Sequence, residues 1–189
     1  DILFPYFESP DVAFAYTAVG NIDDNGFENS VAPCCQLPKS GKYPIKNFID
    51  GHLFLSQGEY PLSPGCALFR TVDLKENLLL DLPDEFNVGF MAHGAGPDLC
   101  VYLLCGSKYK KFAYHADRKA YFRRHDNNLS RLDNVNLAYA IAKAWFAEAY
   151  FTKIGASGIG KFRAAHFLRL VRLGNACLYK RSMAWDRRC

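Results

Sequence analysis

Methionine and tryptophan are scarce, two of each in 189 residues, and long apolar runs are missing altogether. A membrane-crossing helix needs roughly 18–20 consecutive apolar residues. The longest candidate, Leu137 to Phe151, is shorter than that and is interrupted by Lys143 and Glu148. Membrane insertion is therefore not expected, and the chain reads as soluble. Charge of one sign is also missing: Lys plus Arg is 23 and Asp plus Glu is 19, a net charge of +4. So mild a balance demands no nucleic-acid partner by itself. Charged residues are 22% of the chain against 50% hydrophobic, too few charges for a disordered segment. Nor is there an internal repeat, a glycine period or a sustained heptad, which excludes repeat arrays, collagen and coiled coils.

Two further absences bear on processing and redox setting. The chain opens at Asp1 rather than Met, with no charged stretch followed by an apolar leader, so a processed N-terminus is expected. The seven cysteines (Cys34, Cys35, Cys66, Cys100, Cys105, Cys177 and Cys189) are odd in number, and their spacing follows no disulfide framework. Reduced thiols in an intracellular, organellar or viral protein are the expectation, in spite of the sequon at Asn128-Leu129-Ser130.

What the chain does have is aromatic rings, 15 Phe and 11 Tyr, which must fill a core, a partner interface or both. One domain over residues 1–189 is expected, with a β-rich part over 1–130 and a helical part over 131–189 that carries a basic tail. Turn formers punctuate the first third: Asn21 to Gly26 ends in the Asn-Gly turn dipeptide, and Pro33, Pro38, Pro44, Pro61 and Pro64 limit anything longer than a short strand. His52 to Leu55 and Ala67 to Val72 read as strands, and Val88 to Met91 is another apolar run. Asp98 to Cys105 reads as a buried strand, turned by Gly106-Ser107 into a second strand over Tyr109 to Phe122.

Near residue 130 the period changes. Asp133 and Asn134 are N-cap candidates for an alanine-rich helix over Val135 to Lys153, with Val135, Ala138, Ala142, Trp145 and Ala149 on one stripe. Leu137, Ile141 and Ala144 widen that stripe, which predicts burial on most sides. Gly155 to Gly160 breaks the helix, and a second runs from about Lys161 to Leu173, stopped at Gly174. The fold class is α+β: mostly antiparallel sheet with long loops over about residues 1–125, then a C-terminal helical hairpin over about residues 133–174.

The sequence Gly158-Ile159-Gly160-Lys161-Phe162-Arg163-Ala164 resembles the helix-hairpin-helix motif, and the resemblance covers about residues 136–172. It implies that Gly158 and Gly160 let the backbone approach a nucleic-acid phosphate, held by amides at the start of the second helix. Lys161 falls in that first turn. At about 100° per residue, Lys161, Arg169 and Arg172 share one face, and Ala164, Phe167 and Val171 cluster some way round from it. Such contacts are sequence-independent and salt-sensitive. The bland reading of the same glycines is a tight packing turn. The related glycine loop Gly155 to Gly160 also looks like a dinucleotide-binding loop, but only 29 residues follow it, too few for a βαβ sheet.

Pro97-Asp98 with Asp117-Arg118-Lys119 resembles the Pro-Asp…Asp-x-Lys pattern of restriction-endonuclease-like enzymes. That resemblance implies Asp98 and Asp117 as Mg²⁺ ligands and Lys119 at the scissile phosphate, with strand alternation placing Asp117 and Lys119 on one face. His93, Cys100, Cys105 and His115 are zinc-ligand types without a paired short spacing. His115-Ala116-Asp117 with His166 has the composition of an iron facial triad, but a long helix intervenes where strands belong. Cys34-Cys35 has no local activating group.

The functional expectation is a non-enzymatic structural or accessory subunit. Its partners would be other protein subunits of an assembly and the DNA or RNA backbone, met at Gly158, Gly160, Lys161, Arg169 and Arg172. It needs no cofactor. The alternative is a Mg²⁺-dependent nuclease using Asp98, Asp117 and Lys119.

Overall fold

The structure, a computed structural model, describes residues 2–31, 37–54, 63–77, 97–123, 135–155 and 158–172. Its fold is α+β. Strand β1 (Val12–Ile22) is the centre of a five-stranded mixed sheet, with β2 (Glu28–Val31), β3 (Gly41–Pro44), β4 (Ala67–Phe69) and β5 (Lys111–Arg123). The order is β2-β1-β5-β3, and β4 pairs with β1. Three pairings are antiparallel, but the longest, β1 with β5, is parallel.

The hairpin between β1 and β2 forms where the Asn-Gly dipeptide places it. Gly26 takes φ +88°, a conformation that costs glycine little. The Asp23 carboxylate accepts the amides of Asn25 and Phe27, both at 2.9 Å, as an Asx turn does. β1 itself lies where the turn-former pattern gave no expectation of a strand. It is buried on both faces, with Phe14 and Tyr16 in an aromatic cluster with Phe48, Tyr102, Phe112 and Tyr114. Ala15, of opposite parity, packs under Leu3, Tyr6 and Phe7 of the N-terminal segment. Phe14 alone meets four rings with centroids 4.8–5.8 Å away.

Five helices complete the described structure: α1 (Ile45–Leu53), α2 (Thr71–Asn77), α3 (Pro97–Gly106), α4 (Val135–Ile154) and α5 (Ile159–Arg172). Three correct the expected strands. His52 and Leu53 end α1, whose buried residues Phe48, Ile49, His52 and Leu53 follow a helical period that a four-residue window conceals. The strand at Ala67 stops at Phe69, and α2 starts at Thr71. Asp98 to Cys105 is helix α3, not strand. Its apolar run has no period because both sides are covered: Leu99, Cys100, Leu103 and Leu104 join the helical core, and Tyr102 joins the sheet core. Pro97 at the first position, Asp98 in the first turn and Gly106 at the end are helix signals. Val88 to Met91, Cys34, Cys35 and His93 lie outside the described residues.

A polar network ties the two layers. Buried Asp73 accepts the Tyr109 hydroxyl at 2.5 Å and Lys108 Nζ at 3.4 Å. Asn77 on the same helix accepts Lys153 Nζ of α4 at 2.7 Å. Arg70 fixes the N-terminal segment by donating to the carbonyls of Phe7, Ser9 and Val12 at 3.1–3.3 Å. No described helix is long and apolar enough to cross a membrane.

Candidate nucleic-acid interface

Helices α4 and α5 form within a residue or two of their expected ends, because alanine and long side chains favour helix and the glycines between them stop it. α4 is buried on most sides: Ala140, Ile141, Ala142, Ala144, Phe146, Ala147, Tyr150 and Phe151 are all inside. α5 buries Phe162, Ala165, His166 and Leu170. An Arg163–Glu148 fork, with N–O distances of 3.0 and 3.2 Å, joins the two helices, and Phe162 stacks on His166 with centroids 5.8 Å apart. Ala164, Phe167 and Val171, together with Leu168, stand exposed on the opposite side of α5.

The three described glycines of the turn differ in what holds them. Gly155 has φ +60°, the left-handed conformation that ends α4 and that disfavours a side chain. Gly158 is a close approach: a Cβ there would stand 2.6 Å from Cε1 of Phe151. Its carbonyl accepts the Phe162 amide at 3.0 Å, so it is the residue from which α5 starts. Gly160 answers to neither reason. It lies exposed in the first turn of α5, and no described atom comes within 4 Å of the position of a Cβ.

Lys161 is exposed, with Nζ 4.6 Å from the centre of the Phe54 ring at the end of α1, a cation–π contact that holds the ammonium beside the turn. Arg172 is exposed about three turns further on, whereas Arg169 is half-buried near His166. Lys161 and Arg172 are thus exposed cations at the two ends of α5, with the half-buried Arg169 between them. Two buried histidines lie behind them. Burial, with a smaller push from Lys143, lowers His52 to about 3. Burial, then Arg169 and Lys143, lowers His166 to about 4.

The nuclease residues are placed differently from expectation. Asp98 does not open a strand; it sits in the first turn of α3, where its charge acts on Tyr139 of α4. The hairpin that would have set it against Asp117 is a helix followed by a strand. Asp117 and Lys119 do share a face of β5, with Oδ2 and Nζ 3.9 Å apart, and both are exposed. Among the described residues no three His, Cys, Asp or Glu side chains gather as a metal site. Cys100 and Cys105, both buried on α3, have thiols pushed up to about 12 and about 11, chiefly by burial, so neither is a thiolate nucleophile at neutral pH.

One feature of β5 has no counterpart in the strand pattern of the sequence. Thr17 of β1 pairs with His115, but the next residue, Ala18, pairs with Arg118. Ala116 and Asp117 therefore bulge from the ladder, held by Ser40 Oγ, which accepts the Ala116 amide at 2.8 Å, and by His115 Nδ1, which accepts the Asp117 amide at 3.2 Å. No family model and no curated protein sequence matches this chain.

Proposed function

We propose that the protein is a non-enzymatic accessory or structural component that holds the DNA or RNA backbone at the turn between α4 and α5. What carries this reading is Gly160. Glycine inside a helix costs about 1 kcal/mol relative to alanine. Gly155 is accounted for by its positive φ and Gly158 by the Phe151 ring, but neither a positive φ nor any described neighbour accounts for Gly160. A bare backbone beside the leading amides of a 14-residue helix suits the close approach of a phosphate. Lys161 and Arg172 supply positive charge on the same helix. The outward stripe of Ala164, Phe167, Leu168 and Val171 supports a further contact with protein subunits of an assembly.

The test is binding of generic double-stranded DNA and RNA over a salt series, with Lys161→Glu and Arg172→Glu beside the wild type. Two phosphate contacts predict a log–log salt slope of about −2 and micromolar binding at low salt. Lys161→Glu should lower the slope by about one. Absence of binding at low salt, or binding that both variants leave intact, contradicts the reading.

A further inference from the structure

Helix α5 carries apolar residues on two sides. Phe162, Ala165 and Leu170 face the core with His166, whereas Phe167, Leu168 and Val171 are 42%, 49% and 46% exposed, and Ala164 is exposed beside them. At about 100° per residue, Phe167, Val171, Ala164 and Leu168 follow one another across a single sector about 100° wide. Lys161 and Arg172, both exposed, come next after Leu168, about 20° and 40° further round.

The charge on this helix is of one sign. Lys161, Arg163, Arg169 and Arg172 stand in Ile159–Arg172, and no Asp or Glu does. Arg163, past Phe167 on the other border of the sector, is tied to Glu148 of α4 and adds no net charge there. The outward face is therefore an apolar strip with a basic border made by Lys161 and Arg172. That arrangement discriminates between anionic partners. A nucleic-acid backbone takes the cations but offers Leu168 and Val171 nothing apolar. A bilayer surface has both layers, anionic headgroups outside and hydrocarbon beneath. On a helix lying flat, Leu168, Val171 and Phe167 enter the boundary region, and the long stems of Lys161 and Arg172 let their charges reach back to the headgroups.

We propose that the outward face of α5 docks the protein peripherally on an anionic lipid surface. The helix lies on the membrane and does not cross it. An apolar strip and a basic border are two modest signals acting together, so the attachment is reversible and weakens with salt. Lipid, rather than a protein subunit, is what covers the stripe here, and the proposal does not rest on the nucleic-acid reading.

The test is co-sedimentation of the full chain with vesicles of phosphatidylcholine and with vesicles that also contain phosphatidylserine. The anionic vesicles should bind at least about tenfold more tightly than the neutral ones. Lys161→Gln should weaken that binding by about fivefold. Leu168→Ser combined with Val171→Ser, exposed changes that spare the core, should keep the thermal midpoint and weaken binding to anionic vesicles by about tenfold. No binding to anionic vesicles, equal binding to the two compositions, or binding that the double variant leaves intact would overturn the proposal. So would a wild-type dimer that the double variant returns to monomer, because a second copy would then cover the face.

Discussion

The sheet half and the helical half of the molecule are held together by different means. Around β1, six aromatic side chains (Phe14, Tyr16, Phe48, Tyr102, Phe112 and Tyr114) form one cluster, in which Phe14, Phe48 and Phe112 each meet at least three other rings. Between α4 and α5 the contacts are made by alanines, a few rings, a glycine pressed on Phe151 and the Arg163–Glu148 fork. The first half uses bulk; the second uses closeness. Large interlocked rings lose much when one is removed, whereas small-residue packing is sensitive to any atom added. The helical half also holds the buried His166 and the exposed basic residues of the turn, whereas buried His52, on α1, has its ring 4.6 Å from Phe48 of the aromatic cluster.

The largest effect should come from truncating the aromatic cluster. Phe14→Ala should cost about 3–5 kcal/mol in urea unfolding, and a loss under about 1 kcal/mol would show that the rings are not the sheet's main support. Acid should strike the helices, through His52 on α1 and His166 on α5. His52 and His166 have folded pKa values of about 3 and about 4, below an unfolded value of about 6.5. The unfolded chain therefore binds protons that the folded chain refuses. The stability these groups allow is present above pH 6.5 and falls as pH drops through the window down to about 4. Each histidine costs up to about 1.4 kcal/mol per pH unit there, about 3 kcal/mol for the pair by pH 5. Hydrogen exchange should show α4 and α5 opening before β1 and β5, and His166→Phe should reduce the effect by about half. Opening of the sheet first would reverse the comparison.

Smaller effects separate the glycines. Gly158→Ala forces a Cβ against Phe151 at 2.6 Å and should destabilise by about 1–3 kcal/mol, read as a lowered denaturant midpoint. A neutral result would mean that the ring moves aside freely and the turn is loose.

The two halves were also unequally legible in the sequence. Val135 to Lys153 and the segment after Gly160 stood out because a period of 3.6 is a local property, fixed by residues three and four apart. The sheet half depends on partners far away in the chain. β1 and β5 pair in parallel across about a hundred residues, and nothing in either segment alone announces the other. The run Asp98 to Cys105 was read as a strand because its seven apolar residues, Leu99 to Cys105, are buried on all sides and show no period of either kind. The flanking Pro97, Asp98 and Gly106 were the signal that could have settled it as a helix. Of the candidate sites, the glycine turn was visible as a pattern, but the left-handed φ of Gly155, the ring against Gly158 and the open space beside Gly160 appear only with the described neighbours in place.

The central claim is that Gly160 serves something outside the fold. Gly160→Ala should therefore be measured twice, for stability and for binding of double-stranded DNA and RNA at low salt. The account predicts a chain about 0.5–1 kcal/mol more stable that binds nucleic acid distinctly less well. A variant that loses stability, or that gains it with binding unchanged, would contradict the account and return the turn to packing alone.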